Sequence, residues 1–213
     1  MKQLPVLLVL GLALSLCNLS SKLKNAGKSG ESAKSTSNST ATDGASVEHP
    51  EPTAAQRAAL AGGLSVKWDK QGMSWTVPPQ WTQATDDEKM FVWRSPGSWD
   101  AASLIINIST MDENFPTEVS LKAFYDSAKT RSKNGEVDEL KWIELDGLKG
   151  IEFRESNPEK PDDQRRLQWL AYRKYAGQVQ LVNLLLATRG KDFSRHQDAM
   201  YGILYSTKIM LCH

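Results

Sequence analysis

Cysteine, histidine and net charge are all scarce in this chain of 213 residues, which has two cysteines and three histidines. Two cysteines cannot build a disulfide framework, and three histidines offer little material for a metal cluster. Its 26 lysines and arginines nearly balance 25 aspartates and glutamates, so the formal net charge is +1. Nucleic-acid-binding domains usually carry a clustered basic excess. We therefore expect no nucleic-acid partner, no metal and no cofactor.

A long apolar run is also missing, because the uncharged stretch Leu4 to Leu16 has only 13 residues. A helix that crosses a bilayer needs about 20 apolar residues. The run follows the basic start Met1-Lys2, and a short apolar segment in that position is typical of a secretory signal peptide. We predict that residues 1–16 are a signal peptide and that the chain is exported.

Cys17 follows this apolar run directly, in the string Leu14-Ser15-Leu16-Cys17. The string resembles the lipobox of bacterial lipoproteins, although Leu16 stands where a small residue is usual. The resemblance implies cleavage before Cys17, acylation of its sulfur and attachment to a bacterial membrane, in which two or more acyl chains make a stable anchor. The alternative is a secreted, soluble protein in which Cys17 is incidental.

The composition changes after Cys17, and residues 24–53 are rich in serine, threonine, glycine and alanine. Such a stretch buries too little apolar surface to offset the entropy of ordering it. We predict that residues 17–53 hold the lipid anchor and a disordered tether. About 30 flexible residues have a root-mean-square span of roughly 30 Å, enough to separate a domain from the membrane.

One folded domain is expected after the tether. The Ala-rich residues 54–63 end at Gly62-Gly63 and predict a short helix, and residues 64–210 have the length of a domain with a single core. Alternating apolar residues and turn signals such as Asp146-Gly147 predict strands joined by hairpins. The run Leu181 to Leu186 is apolar at nearly every position, which predicts a central strand covered on both faces.

Helical spacing occurs in two places within this domain. One apolar face comprises Leu121, Phe124, Tyr125 and Ala128, and the other comprises Phe193, Met200, Ile203 and Leu204. Together the patterns predict an α+β fold, an antiparallel meander sheet of about seven or eight strands with helices packed on its faces.

Tryptophan is the residue type that stands out, with seven copies. Five fall within predicted strands, where aromatic residues are favoured: Trp68, Trp75, Trp93, Trp142 and Trp169. Trp81 and Trp99 follow turn signals, so they are the candidates for surface contact with a partner, although structural packing is the favoured interpretation of each. His196 is the one histidine inside the domain; it is either a solvated helix residue or a general base.

The order of motifs resembles the PsbP-like superfamily over residues 64–210. The resemblance rests on Trp75-Thr-Val-Pro78 with Trp81, Phe91-Val-Trp-Arg-Ser-Pro96, the helix from Leu121, Gly150-Ile-Glu-Phe153, and Ser206-Thr-Lys-Ile209. It implies an antiparallel sheet between helices, an α/β/α sandwich, and a non-catalytic assembly or binding module. No catalytic residue comes with it.

Two functional hypotheses follow from the sequence. The first is a membrane-tethered, non-enzymatic envelope lipoprotein whose domain binds a protein partner or supports assembly of a complex. The second is a small-ligand binder or a hydrolase, with a pocket lined by Trp81, Trp99 or His196.

Overall fold

The structure is a computed structural model that describes residues 46–97 and 101–210. The predicted signal peptide, Cys17, most of the tether and Trp99 lie outside these residues. Within them, no helix has the length and apolar character that a membrane crossing requires.

Three helices and ten strands make up the described residues. The helices are α1 (Ala54–Ala59), α2 (Thr117–Lys133) and α3 (Phe193–Tyr205). The strands are β1 (Leu64–Trp68), β2 (Met73–Val77), β3 (Thr82–Asp86), β4 (Met90–Arg94), β5 (Ser103–Met111), β6 (Val137–Leu145), β7 (Leu148–Glu155), β8 (Gln164–Tyr175), β9 (Gln178–Arg189) and β10 (Lys208–Ile209).

Seven strands form the main sheet, in the order β3-β4-β5-β9-β8-β7-β6. All neighbours are antiparallel, and the predicted central strand, Leu181 to Leu186, lies within β9 in the middle of this order. The order departs from a simple meander at one point, because β5 pairs with β9 and the hairpins β6-β7 and β8-β9 complete the sheet on that side.

A second sheet of three strands, in the order β1-β2-β10, takes the remaining strands. The predicted hairpin at Gln71-Gly72 is present: a short 3₁₀ turn ends at Gly72, whose φ of +57° suits a residue without a side chain. The sequence predicts one sheet of seven or eight strands, whereas ten strands divide between two sheets. The polar β3 and the two-residue β10 carry no apolar alternation by which to recognise them.

The helices cover the two faces of the main sheet. On one face, Leu121 and Ala128 of α2 pack against Ile151, Phe153 and Leu170. On the other face, α3 buries the apolar residues that the spacing predicts: Phe193, Met200, Ile203 and Leu204. Phe124 is the exception on α2, since it remains 37% exposed. The α+β fold with an antiparallel sheet between helices is therefore confirmed.

Candidate functional site

Trp81 does not offer a partner surface. Its side chain is only 5% exposed and belongs to the main apolar core. Structural packing, the favoured interpretation of Trp81, is therefore what the structure shows, and the partner contact considered for this residue is contradicted. Trp99, the other candidate for surface contact, lies outside the described residues.

The five remaining tryptophans lie in strands, as the sequence predicts. Trp68 and Trp75 each stack on Phe91 with ring centroids 5.5 Å apart. Trp142, on β6, stacks on Tyr125 of α2 with a centroid distance of 4.9 Å. These pairs join the strands to one another and to the helix, which is a packing role.

His196 is half-buried on α3, and its described hydrogen-bonding neighbour is a cation. Nη2 of Arg195 lies 3.3 Å from Nε2 of His196. A guanidinium can only donate, so Nε2 is the acceptor. Burial and the charge of Arg195 lower the pKa of His196, so the ring is neutral near pH 7. A general base needs its acceptor nitrogen free for substrate, and here Arg195 occupies it.

The most perturbed carboxyl group is Glu152, which sequence reasoning missed. It lies on β7, paired in register with Lys141 of β6 and Trp169 of β8, and is fully buried beneath α3. Its Oε2 accepts a hydrogen bond of 3.0 Å from the Tyr205 hydroxyl. Its Oε1 has no hydrogen-bond partner among the described residues. Burial, assisted by the charge of Glu139, raises the pKa of Glu152 to about 7.

Glu139 is the second carboxylate of this cluster, and it is fully paired. Its Oε1 lies 2.5 Å from Nζ of Lys141, and its Oε2 lies 2.9 Å from Nη1 of Arg154. The Tyr201 hydroxyl donates to it at 2.5 Å. Burial opposes ionisation, but the hydrogen bonds from Lys141 and Tyr201 prevail and lower the pKa of Glu139. The two carboxyl groups therefore titrate far apart.

Carboxyl groups with separated pKa values also occur in acid-base catalysis. Glu152, however, has no exposed surface, and neither glutamate of the pair lines any of three clefts on the described residues. These clefts also contain no tryptophan or histidine. The arrangement can attach α3 to the sheet through the hydroxyls of Tyr201 and Tyr205, and it keeps the carboxyl group of Glu152 out of reach of a substrate.

A second feature is the segment 46–53, here called the N-terminal strap. The sequence assigns it to the tether, yet it lies against the domain. Glu48 forms a single parallel bridge with Ile143 of β6: its N–H donates to Trp142 O at 2.9 Å, and its C=O accepts from Glu144 N at 2.8 Å. Thr53 then caps α1, which packs on α3. The predicted tether, residues 17–53, therefore extends too far towards the domain. The sequence does not show this, because main-chain hydrogen bonds to a sheet edge leave no apolar pattern.

The strap also adds charge beside the buried cluster. Oε2 of Glu48 lies 3.8 Å from Nζ of Lys141, and Nδ1 of His49 lies 3.6 Å from Oε1 of Glu144. The strap thus lies along β6, and the charge of Glu48 acts on the buried Glu152.

Solved structures with a similar fold are known. LpqN, involved in cell envelope biogenesis of Mycobacterium tuberculosis, is 14% identical, with a TM-score of 0.49 over 70% of this chain and 85% of LpqN. The PsbP of Synechocystis sp. PCC 6803 is 14% identical, with a TM-score of 0.43 over 69% of this chain and 92% of the other. The Ran-binding protein Mog1p of Saccharomyces cerevisiae is 10% identical, with a TM-score of 0.41 over 70% of this chain and 96% of Mog1p.

The similarity concerns the fold alone. A PsbP protein is among these structures. No protein-family model matches the chain, and no curated protein matches it.

Proposed function

We propose that this chain is a membrane-tethered, non-enzymatic envelope lipoprotein whose domain binds a protein partner. The anchor would be Cys17, placed directly after the apolar run, and the spacer would be the Ser/Thr-rich residues that follow. The charged cluster supports a binding module over an enzyme, since its carboxyl groups bond to the protein itself.

The observation that carries the proposal is the buried state of Glu152. A catalytic carboxyl group must reach substrate, whereas this one is covered by α3 and bonded to Tyr205. The same side of the domain presents a sheet edge with main-chain groups available to another protein. Recognition through an edge is a common means of protein binding.

The lipid anchor is tested by expressing the full chain in a bacterial host with an alkyne analogue of palmitate. We expect the wild type and Cys212→Ala to incorporate the label and to sediment with membranes. Cys17→Ala should do neither, because the thiol that receives the lipid is gone. Labelling of Cys17→Ala equal to that of the wild type would refute acylation at this residue.

Partner binding is tested by crosslinking the full chain in intact envelopes and identifying its neighbours by mass spectrometry. We expect one or a few envelope proteins to be enriched with the wild type. The control is Cys17→Ala, which should lose these neighbours if the tether brings the domain to them. Enrichment of abundant envelope proteins alone, in proportion to their abundance, would count against a specific partner.

A further inference from the structure

The N-terminal strap is held on the domain by few main-chain hydrogen bonds. Among the described residues, Glu48 alone shares main-chain hydrogen bonds with β6, one through its N–H and one through its C=O. In a parallel ladder, the next N–H of the strap to face β6 would belong to residue 50, and Pro50 has none. Thr53 caps α1, so residues 46–52 are the weakly held part. The charges of their side chains therefore have a large influence on whether this part stays on β6.

The first charged contact of the strap joins His49 to β6. Nδ1 of His49 lies 3.6 Å from Oε1 of Glu144, and the two attract each other only when the imidazole is protonated. Histidine is the side chain that ordinarily changes charge between pH 5 and pH 8. Lys149 lies opposite Glu144 in register, but its ammonium lies over the ring of Trp142, 4.9 Å from the centroid. The charged neighbours of His49 along the strap are Glu48 and Glu51. Loss of the imidazole proton therefore removes an ion pair that holds the strap.

The second charged contact lies beside the buried cluster. Oε2 of Glu48 lies 3.8 Å from Nζ of Lys141, and the same ammonium lies 2.5 Å from Oε1 of Glu139. Glu152 lies opposite Lys141 in register on β7. While Glu152 carries a proton, Lys141 faces two carboxylates. An ionised Glu152 adds a third, which competes for the ammonium and repels Glu48.

Glu152 is surrounded by charged and titratable groups from four elements. They are Glu139 and Lys141 of β6, Arg154 of β7, Tyr201 and Tyr205 of α3, and Glu48 of the strap. Its neighbour on β8, Trp169, carries no charge. Burial, assisted by the charge of Glu139, raises the pKa of Glu152 to about 7, and the charge of Glu48 acts in the same direction. Because coupling between two groups is reciprocal, ionisation of Glu152 weakens the docking of Glu48.

We propose that the strap is a pH-dependent clasp, docked on β6 at acidic pH and released as the pH rises above neutrality. Release separates His49 from Glu144 and Glu48 from Glu152, so His49 and Glu152 both lose a proton more readily in the released state. Opening is therefore coupled to proton loss, and a rising pH favours it. In a chain anchored through Cys17, which rests on the proposed function, release adds residues 46–52 to the tether, about 25 Å at full extension.

The test uses the full chain in detergent and follows by NMR how fast the amide protons of Glu48 and Glu144 exchange with water. Each rate is divided by that of an unstructured amide at the same pH, which gives a protection factor. From pH 5 to pH 8 we expect the protection of both amides to fall at least threefold relative to Leu184, in the centre of β9. If the strap amides and Leu184 change by the same factor, the strap is not released separately and the proposal is overturned.

Two substitutions each remove one of the titrations. His49→Gln and Glu152→Gln replace a titratable side chain by an amide, so each should reduce the fall in protection. The double variant should change less than about 1.5-fold between pH 5 and pH 8. The matched control is His196→Gln, because His196 has Arg195 as its described hydrogen-bonding neighbour and should leave the wild-type response unchanged.

Circular dichroism melting shows whether Glu152→Gln folds. If it does not, Glu48→Gln takes its place, because it removes the same repulsion at an exposed position and keeps both main-chain hydrogen bonds of the strap. A full wild-type response in the double variant would overturn the assignment of the clasp to these groups. A response lost in His196→Gln as well would show that the titration of the strap is not what is measured, and would refute the proposal.

The clasp and the lipid anchor fail separately. Exchange at Glu48 and Glu144 does not depend on acylation, so Cys17→Ala should show the wild-type response to pH. Loss of the palmitate label in Cys17→Ala, with no response to pH in either chain, would support the anchor and refute the clasp. Equal labelling of both chains, with the response present in both, would support the clasp and refute the anchor.

Discussion

The hydroxyl of Tyr205 donates a 3.0 Å hydrogen bond to Oε2 of Glu152, and this contact joins α3 to a carboxyl group that no solvent reaches. A buried carboxylate is costly unless it is paired, and the other oxygen of Glu152 has no partner in the described residues. The cost is avoided when Glu152 carries a proton. The interface between α3 and the sheet is therefore most stable with a neutral Glu152.

The first prediction concerns the effect of pH on the free energy of unfolding. The pKa of Glu152 is raised from an ordinary 4.5 to about 7 in the folded state. Between these values Glu152 binds more protons in the folded than in the unfolded state, so its contribution to stability falls as pH rises from 4.5 to 7, whereas the lowered pKa of His196 acts in the opposite sense. A pKa shift of this size lowers the free energy of unfolding by about 3 kcal/mol at most. Urea unfolding at pH 5 and pH 7.5 measures the fall.

Glu152→Gln should remove most of this fall, since an amide does not titrate. The matched control is Asp162→Asn, because Asp162 is exposed and its lowered pKa acts only below pH 4. That control should keep the wild-type slope between pH 5 and pH 7.5. A Glu152→Gln variant with the full wild-type slope would show that another group is responsible.

The second prediction concerns Asp146, whose side chain holds the last strand. Asp146 lies in the β6-β7 turn with φ of +49°. Its Oδ2 accepts from Ile209 N at 2.7 Å, and its Oδ1 lies 3.1 Å from Nζ of Lys208. Asp146→Ala should cost about 1–3 kcal/mol, because it leaves the Ile209 N–H without its acceptor. It should also speed amide exchange of Ile209.

Asp146→Asn is the control for this change. Asparagine keeps an acceptor oxygen and tolerates positive φ, so exchange at Ile209 should stay closer to wild type. If both variants exchange alike at Ile209, the hydrogen bond from Asp146 contributes little to holding β10.

The third prediction concerns Gly150, over which Trp169 packs. A Cβ at residue 150 would lie 2.4 Å from Nε1 of Trp169 and 2.5 Å from the main-chain oxygen of Leu170. Gly150→Ala should therefore destabilise the domain by about 1–3 kcal/mol through overpacking. Thermal unfolding measures the loss of stability. A change in the wavelength of tryptophan emission reports that the surroundings of Trp169 have changed.

Gly177→Ala separates this packing effect from the general effect of replacing a glycine. Gly177 has φ of +76°, and a Cβ there would meet nothing within 4 Å. Its cost is limited to backbone strain, on the order of 1 kcal/mol. A Gly150→Ala variant as stable as the wild type would contradict the close packing of Trp169.

The parts of the fold that the sequence predicts correctly are those set by local chemistry. Asp146-Gly147 defines a tight turn whichever strands flank it, and the spacing of Met200, Ile203 and Leu204 defines a helix face. The central position of β9 follows from its continuous apolar run, because only a strand covered on both faces can bury one.

The candidate site could not be predicted in the same way. In the string Gly150-Ile-Glu-Phe153, Ile151 and Phe153 face α2, so Glu152 has the position of a solvent-facing residue. Whether that face meets water is decided by α3, about 50 residues later in the chain. The burial of Glu152 is therefore a property of the tertiary arrangement, and no local pattern reports it.

The position of β2 between β1 and β10 constrains the order in which the chain can fold. The hairpin of β1 and β2 can form from neighbouring residues, but the pairing of Ile209 with Met73 joins positions separated by more than 130 residues. Contacts so distant in sequence form late, because the intervening chain must be ordered first. The three-stranded sheet therefore closes only when Lys208 and Ile209 reach β2, whichever part of the chain has folded before them.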